Sequence, residues 1–268
     1  MQMPTETCYI QLMGGLGNQL FQVAAAYAHC KRTGKTLKIA ERIGAGPRKT
    51  TYWNTYFNAL KDNMCGTKSG MHFSTLWREP RFGFVPIPAE ANALFGYFQS
   101  SQYFKEFKNE IRSLFHPGSA VHIKMLKTHG SLLVAKPMAT AVHIRRGDYV
   151  SLPTFHCILT PDWYRRALAD REAKALVVFS DDIAWCRGLD FLQGATFVEE
   201  PDEVVALHLM SQFRRFVLSN SSFSWWAAFL AGSAPEDVVV PDRWFGPAGP
   251  QDYEDIYEPM WKRLPVDK

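Results

Sequence analysis

The sequence predicts an α/β protein whose second half is a doubly wound parallel sheet, and its length favours two units over one. Three observations carry this. Short apolar runs alternate with helical patterns without a break from residue 139 to residue 241. The chain opens on a strand, a glycine-rich turn and a helix. Its 268 residues are long for a single core.

The opening strand lies at residues 8–13 (CYIQLM), followed by the turn GGLG and a helix over residues 17–33, where Leu20, Phe21, Ala24, Tyr27 and Ala28 recur at helical spacing. A second strand, TLKIA, follows at 36–40. Residues 42–92 are rich in Gly, Pro and aromatics and show no clear period, so they read as irregular. A short strand is expected near ALFGYF (93–98), then helices over QYFKEFKNEIRSLF (102–115) and HPGSAVHIKMLKTHG (116–130). From there the alternation is regular. TAVHIR leads to the helix TPDWYRRALADRE, with Thr160 as N-cap and Pro161 at the first helical position. ALVVFS leads to a helix near Asp182, ATFVEE to DEVVALHLMSQ and RFVLSN to SFSWWAAFLAG, and DVVVP closes the series. Five buried strands joined by helices describe a parallel sheet covered on both faces.

Hydrophobic residues make up 47% of the chain and charged residues 21%, which excludes a disordered chain. The net charge of +4 is spread along the sequence without Lys/Arg blocks, which argues against a nucleic-acid surface and suits a modestly anionic ligand. The five cysteines, Cys8, Cys30, Cys65, Cys157 and Cys186, are widely spaced with no C-x-x-C pair, so neither a disulfide framework nor a zinc site is expected. No stretch has the ~18 apolar residues of a membrane span, and the first residues lack the pattern of a secretory signal. The expected location is the cytoplasm.

Open parallel sheets bind ligands beyond the carboxyl ends of their strands. Three segments fall there: HIRRGDY (143–149), SDD (180–182) and SNSSFSWW (219–226). Adjacent arginines, Arg145 and Arg146, can grip a phosphate through paired hydrogen bonds, and the N-terminus of the SFSWW helix adds amides and the positive end of its dipole. Carboxylates in the same crevice suit ribose hydroxyls or the N–H groups of a guanine. This is the inventory of a nucleoside diphosphate site. Each piece also has a structural use: Arg-Arg pairing with Asp148 in a turn, SDD as a helix N-cap, Ser221 and Ser222 as caps, Trp225 and Trp226 as core, and His156 as a packed histidine.

The segment GGLGNQLFQ (14–22) is an incomplete match to the dinucleotide fingerprint G-x-G-x-x-G, because Leu20 stands where the third glycine belongs; Glu41 follows the next strand at the place of a ribose-binding acid. The helix opens instead on Asn18, Gln19 and Gln22, whose amides can hydrogen-bond a sugar or a phosphate.

In this order and at these separations, GGLGNQLFQ, HIRRGDY, SDD and SNSSFSWWAA resemble the bacterial alpha-1,2-fucosyltransferases, over roughly residues 8–245. The resemblance implies a GT-B arrangement of two facing Rossmann-like domains: residues 1–138 on the acceptor side and 139–268 holding the GDP-sugar. It implies transfer of L-fucose from GDP-fucose, with inversion and without a metal ion or cofactor, to the 2-hydroxyl of a terminal galactose in an oligosaccharide. A lipid-linked acceptor would place the enzyme at the inner face of the membrane. Carried over residue by residue, it sets Arg145 on the donor β-phosphate, with Arg146 shaping the pocket and His143 fixing the backbone. Asn18, with Gly15, Gly17 and Gln19 of its turn, would face the diphosphate or the fucose, Asp181 or Asp182 the nucleoside, and Asn220, Ser221, Ser222 and Phe223 the phosphates and base. The loop after RRGDYV is shorter than the family's, so SLPTFHC aligns only loosely.

Departure of GDP leaves a diphosphate charge. Metal-dependent transferases meet it with a cation on a D-x-D motif, whereas here Asp181 and Asp182 are adjacent, and Arg145 with helix amides can serve instead. Asp148 and His156 are the candidates for removing the acceptor proton, unless a dissociative step needs little base help. Competing functions are a fucosyltransferase of other linkage, a dinucleotide-dependent oxidoreductase using GGLG and Glu41, and a non-catalytic nucleotide- or carbohydrate-binding module. Tyr52, Trp53, Tyr56, Phe57 and Trp77 are the aromatic candidates for stacking on an acceptor sugar.

Overall fold

A computed structural model describes residues 6–40, 52–65, 73–135, 138–170 and 175–266. The described chain divides into two units. The first runs to Gly118 and takes in Glu254–Tyr257; the second comprises Ser119–Tyr253 and Glu258 onward.

In the first unit, β1 (Thr7–Gln11) enters α1 (Leu16–Thr33), which buries Leu20, Phe21, Ala24 and Ala28 and closes on Gly34 in the left-handed conformation, φ +69°. Then come β2 (Thr36–Ala40), the short β3 (Met64–Cys65) and β4 (Leu76–Arg78), β5 (Ala93–Phe95) and α2 (Lys108–Leu114). All pairings in the order β3-β2-β1-β5-β4 are parallel. Two expectations change here. The single helix over 102–115 is a 3-10 segment, Ser101–Phe107, followed by α2, because Phe104 at φ −135° interrupts the helical path. The proposed sugar-stacking aromatics are core instead: Tyr52, Trp53, Tyr56 and Phe57 are buried, with Phe57 edge-on to Trp53 and Phe115 at 5.9 and 6.0 Å. Trp77 is stacked on buried Phe98 at 5.8 Å.

The second unit opens with α3 (Ser119–Ala135) and continues β6 (Thr140–Ile144), α4 (Pro161–Asp170), β7 (Leu176–Ser180), α5 (Ile183–Arg187), β8 (Thr196–Val198), α6 (Glu203–Met210), β9 (Arg215–Val217), α7 (Ser222–Ala231), β10 (Val238–Pro241) and β11 (Lys262–Leu264). The division drawn at 138/139 marks where this second sheet starts. The compact unit begins earlier, at Ser119, because α3 packs along α6 through Lys124–Asp202 (2.8 Å) and His122–His208 (2.9 Å). The Thr160 cap is present, its hydroxyl accepting from the Trp163 amide at 3.2 Å.

All pairings of this sheet are parallel, in the order β11-β10-β9-β6-β7-β8. Read from β6, that is the Rossmann order 3-2-1-4-5-6, with the reversal between β6 and β9. β6 is buried along its whole length, as a central strand covered on both faces must be. Trp225 and Trp226 lie in the core of α7. Among the described residues, no helix is long and apolar enough to cross a membrane.

Candidate active site

The three segments singled out in the sequence leave from neighbouring strands. HIRRGDY ends β6, SDD ends β7 on one side, and SNSSFSWW ends β9 on the other. They therefore meet at the switch point, where a parallel sheet leaves an open crevice.

The two arginines have different employment. Arg145 forms ion pairs with Asp148 and, at 2.9 Å, with Asp181, and its guanidinium lies 5.2 Å from the centre of the Tyr149 ring. Arg146 lies over Trp185, its guanidinium carbon 3.8 Å from the ring centre, and donates to Asp182 at 3.1 Å, while its backbone N–H donates to Asp181 at 2.9 Å. Asp182 also caps α5, accepting from the Trp185 amide at 3.1 Å. Arg146 is thus built into the wall by stacking and by a carboxylate that is itself fixed. Arg145 rests on Asp148, whose side chain is 53% exposed, so one of its ion pairs exchanges readily with a ligand anion. Gly147 between them is dictated by space: a Cβ there would lie 2.2 Å from Asp181 Oδ2.

His143 is buried at the end of β6, and its Nδ1 lies 2.6 Å from Ser219 Oγ. Burial first, and the nearby Arg145 charge second, push its pKa down to about 3, so it is a neutral packing and positioning group that ties β6 to β9. Its ring centre is 5.7 Å from that of Phe223 on α7. Asn220 is buried and uses its amide to donate to the carbonyls of Cys157 and Trp244 at 3.0 and 2.6 Å. Its side-chain N–H groups therefore hold two loops against the sheet end. Ser221 is the N-cap residue of α7, without a side-chain capping bond, and Ser222 begins the helix. His156 stacks face to face on Tyr149, 3.7 Å between centres, and the Tyr149 hydroxyl donates to the Asn220 carbonyl at 3.0 Å. Burial lowers the His156 pKa, with Asp148 raising it and Arg145 lowering it to smaller extents; the imidazole is neutral near pH 7, the form that accepts a proton.

In the first unit, the glycine turn is shaped by its own helix. Gly14 is left-handed at φ +74°, and a Cβ there would meet Asn18 Nδ2 at 2.5 Å. Gly15 is the N-cap residue of α1 and Gly17 is buried in its first turn. Asn18 accepts from Gln99 Nε2 at 2.7 Å, joining the ends of β1 and β5 where this sheet reverses its order. Buried Gln19 donates to the Gly14 carbonyl at 3.1 Å. Gln22, expected to offer its amide to a ligand, spends both ends on Met13, accepting from its N–H at 2.8 Å and donating to its carbonyl at 2.9 Å. Glu41 lies outside the described residues. Tyr149 and Ser219 lie inside the quoted motifs without a role assigned from sequence, Trp185 stands three residues after SDD, and Gln99 has no local signal.

Two Rossmann-type parallel sheets, with an anion-binding inventory at the switch point of the second, are the architecture of GT-B glycosyltransferases. Comparison fixes the family. The model of Glycosyl transferase family 11 matches residues 74–264, and the chain belongs to that family. An alpha-1,2-colitosyltransferase of Escherichia coli is 30% identical, over 88% of this chain and 91% of its own length. The galactoside alpha-(1,2)-fucosyltransferase 2 of Oryctolagus cuniculus is 25% identical, over 96% and 74%. Among solved structures, POFUT1 in complex with GDP superposes with a TM-score of 0.55 at 15% identity, covering 87% of this chain and 96% of that one, a likeness of fold.

Proposed function

We propose that this enzyme transfers L-fucose from GDP-fucose, with inversion and without a metal ion, to the 2-hydroxyl of a terminal galactose. The observation that carries the reading is the contrast between Arg146, locked against Trp185 and Asp182, and Arg145, poised at the switch point on an exposed carboxylate. With GDP-fucose bound, the β-phosphate takes the place of Asp148 on the Arg145 guanidinium. As the anomeric C–O bond breaks, the electron pair passes to the diphosphate, where Arg145 and the positive end of the α7 dipole stabilise it. The acceptor oxygen forms the new bond from the opposite face of the sugar and gives up its proton. Two proton acceptors lie beside Arg145: Asp148, freed by the donor, and neutral His156.

The alpha-1,2 activity named for both relatives supports the linkage, the galactoside named for the second supports the acceptor, and the GDP bound to POFUT1 supports the nucleotide. The name of the colitosyltransferase favours colitose as a second donor sugar, tested as its GDP derivative. Family membership sets aside the oxidoreductase reading. The free cysteines, all but Cys65 buried, suit the cytoplasm as the place of action, on a glycan that a lipid carries at the inner face of the membrane.

Incubation with GDP-fucose or GDP-colitose and lactose, with and without EDTA, tests the reading. An alpha-1,2-linked product that survives EDTA and is lost in folded Arg145→Ala supports it; no transfer from either donor refutes it. In the same assay, a kcat loss above about a thousandfold in only one of Asp148→Asn and His156→Gln identifies the base.

A further inference from the structure

We propose that Arg78, Phe95 and Tyr97, at the carboxyl ends of β4 and β5, form the platform on which the acceptor galactoside rests. This deepens the transferase reading above and rests on it. Arg78 and Phe95 are paired across β4 and β5, and the guanidinium lies 4.7 Å from the centre of the Phe95 ring. Phe95 is 36% exposed, and Tyr97, two residues on past the bend at Gly96, is 41% exposed. Scattered exposed aromatics need no explanation. Here a guanidinium fork lies over one exposed ring, and a second exposed ring follows two residues on, at the ligand-binding end of a parallel sheet. Flat rings match the C–H face of a galactose ring, and guanidinium N–H groups donate to hydroxyls. A neutral galactoside fits this chemistry better than a lipid surface, which would call for a cluster of cations.

The segment bearing the rings is built with unusual care. Phe98 is left-handed at φ +53° without being glycine, a conformation that persists only where the surroundings impose it. The surroundings are Glu79. Its carboxylate accepts from the Tyr97 amide at 2.7 Å, from the Phe98 amide at 3.0 Å and from the Tyr103 hydroxyl at 3.3 Å. Gly96 is required beside it, since a Cβ would lie 2.4 Å from that of Glu79. Phe98 is buried against Trp77 and Tyr103, which turns residues 95 and 97 outward. One residue further on, Gln99 reaches Asn18, so the platform and the glycine turn of α1 are one continuous construction.

The test compares native protein with Phe95→Ala/Tyr97→Ala, and with Phe95→Leu, which keeps apolar bulk but removes the flat face. Lactose binding is measured by saturation-transfer NMR, and KM for lactose and for GDP-fucose by transfer kinetics. The expected result is a rise of at least about fivefold in lactose Kd and KM for the double variant, with KM for GDP-fucose within about twofold of native. Lactose Kd and KM unchanged in both variants, with melting temperatures intact, overturn the platform. Native protein that binds lactose through these rings but never transfers to it overturns the transferase reading and leaves the platform standing. Native protein that binds no galactoside overturns the platform.

Discussion

Gly147→Ala is the smallest change that tests how the site is held. The new methyl would lie 2.2 Å from Asp181 Oδ2, so the carboxylate must retreat by roughly 1.2 Å to reach the 3.4 Å of ordinary contact. That oxygen is the one paired with Arg145 at 2.9 Å, and the other, Oδ1, accepts from the Arg146 amide at 2.9 Å. A short side chain cannot move one oxygen that far and keep both bonds, so at least one charge-assisted hydrogen bond is lost, worth about 1.5–3 kcal/mol. Arg145 then keeps exposed Asp148, a pairing worth no more than about 1 kcal/mol, and its contact with the Tyr149 ring. The expected outcome is a fall in melting temperature of several degrees and GDP binding weaker by roughly tenfold, read by calorimetry on the purified variant. Native GDP affinity together with a native melting temperature would refute the claim that Asp181 aims Arg145.

Arg145→Lys should behave almost as badly as Arg145→Ala, with kcat down by about a hundredfold or more, because an ammonium lacks the planar fork; steady-state kinetics at saturating donor decide this. Asn220→Ala leaves the buried Cys157 and Trp244 carbonyls without their donors and should cost roughly 2–4 kcal/mol in urea unfolding, with the loss in stability appearing before any loss of GDP affinity. His143 is neutral when folded down to a pKa of about 3, against 6.5 for a free imidazole. Between these values the unfolded chain binds the extra proton. The contribution of this group to stability is thus fully present above pH 6.5 and falls by about tenfold in the folding equilibrium per unit of acidification. His143→Asn should flatten the melting-temperature profile over pH 6.5–4; an unchanged slope would count against it.

The second unit was readable because its strands are five or so apolar residues ended by Gly, Asp, Ser or Asn, and parallel topology then puts consecutive strand ends on one edge. From that alone Arg145, Asp181 and Ser221 fall together. β3, with two residues, is too short to show a period, and β11, Lys262–Leu264, is two-thirds Lys and Arg and so offers no apolar run. In residues 52–57 the aromatics face core on several sides at once, so no alternation marks them. The role of a motif residue was less readable than its place. Gln22, Asn220 and Arg146 stand beside or within ligand-binding motifs, yet each is committed to another part of the protein, and only the partner's position, 9, 24 or 36 residues away, reveals it. Glu79 and Gln99 had no sequence signal at all, since their partners are amides and a side chain brought close by the fold.

Charge balance at the switch point gives the doublet Arg145–Arg146 its logic. Two guanidinium groups pair with three carboxylates, Asp148, Asp181 and Asp182, so an incoming diphosphate must compete with carboxylates for the arginines. Asp182 is fixed as the α5 cap, and Asp181 is fixed by a backbone amide and by the absence of a side chain at Gly147. Asp148 is the most exposed of the three, its side chain 53% exposed against 26% for Asp181 and 36% for Asp182, and it sits on a short turn of 3-10 helix. In the proposed reaction the β-phosphate takes the place of Asp148 on Arg145, and the displaced carboxylate stays next to the leaving group. Neutralising Asp148 should then tighten GDP binding even where it slows transfer, an inverse relation between affinity and rate that a purely structural Asp148 would not produce.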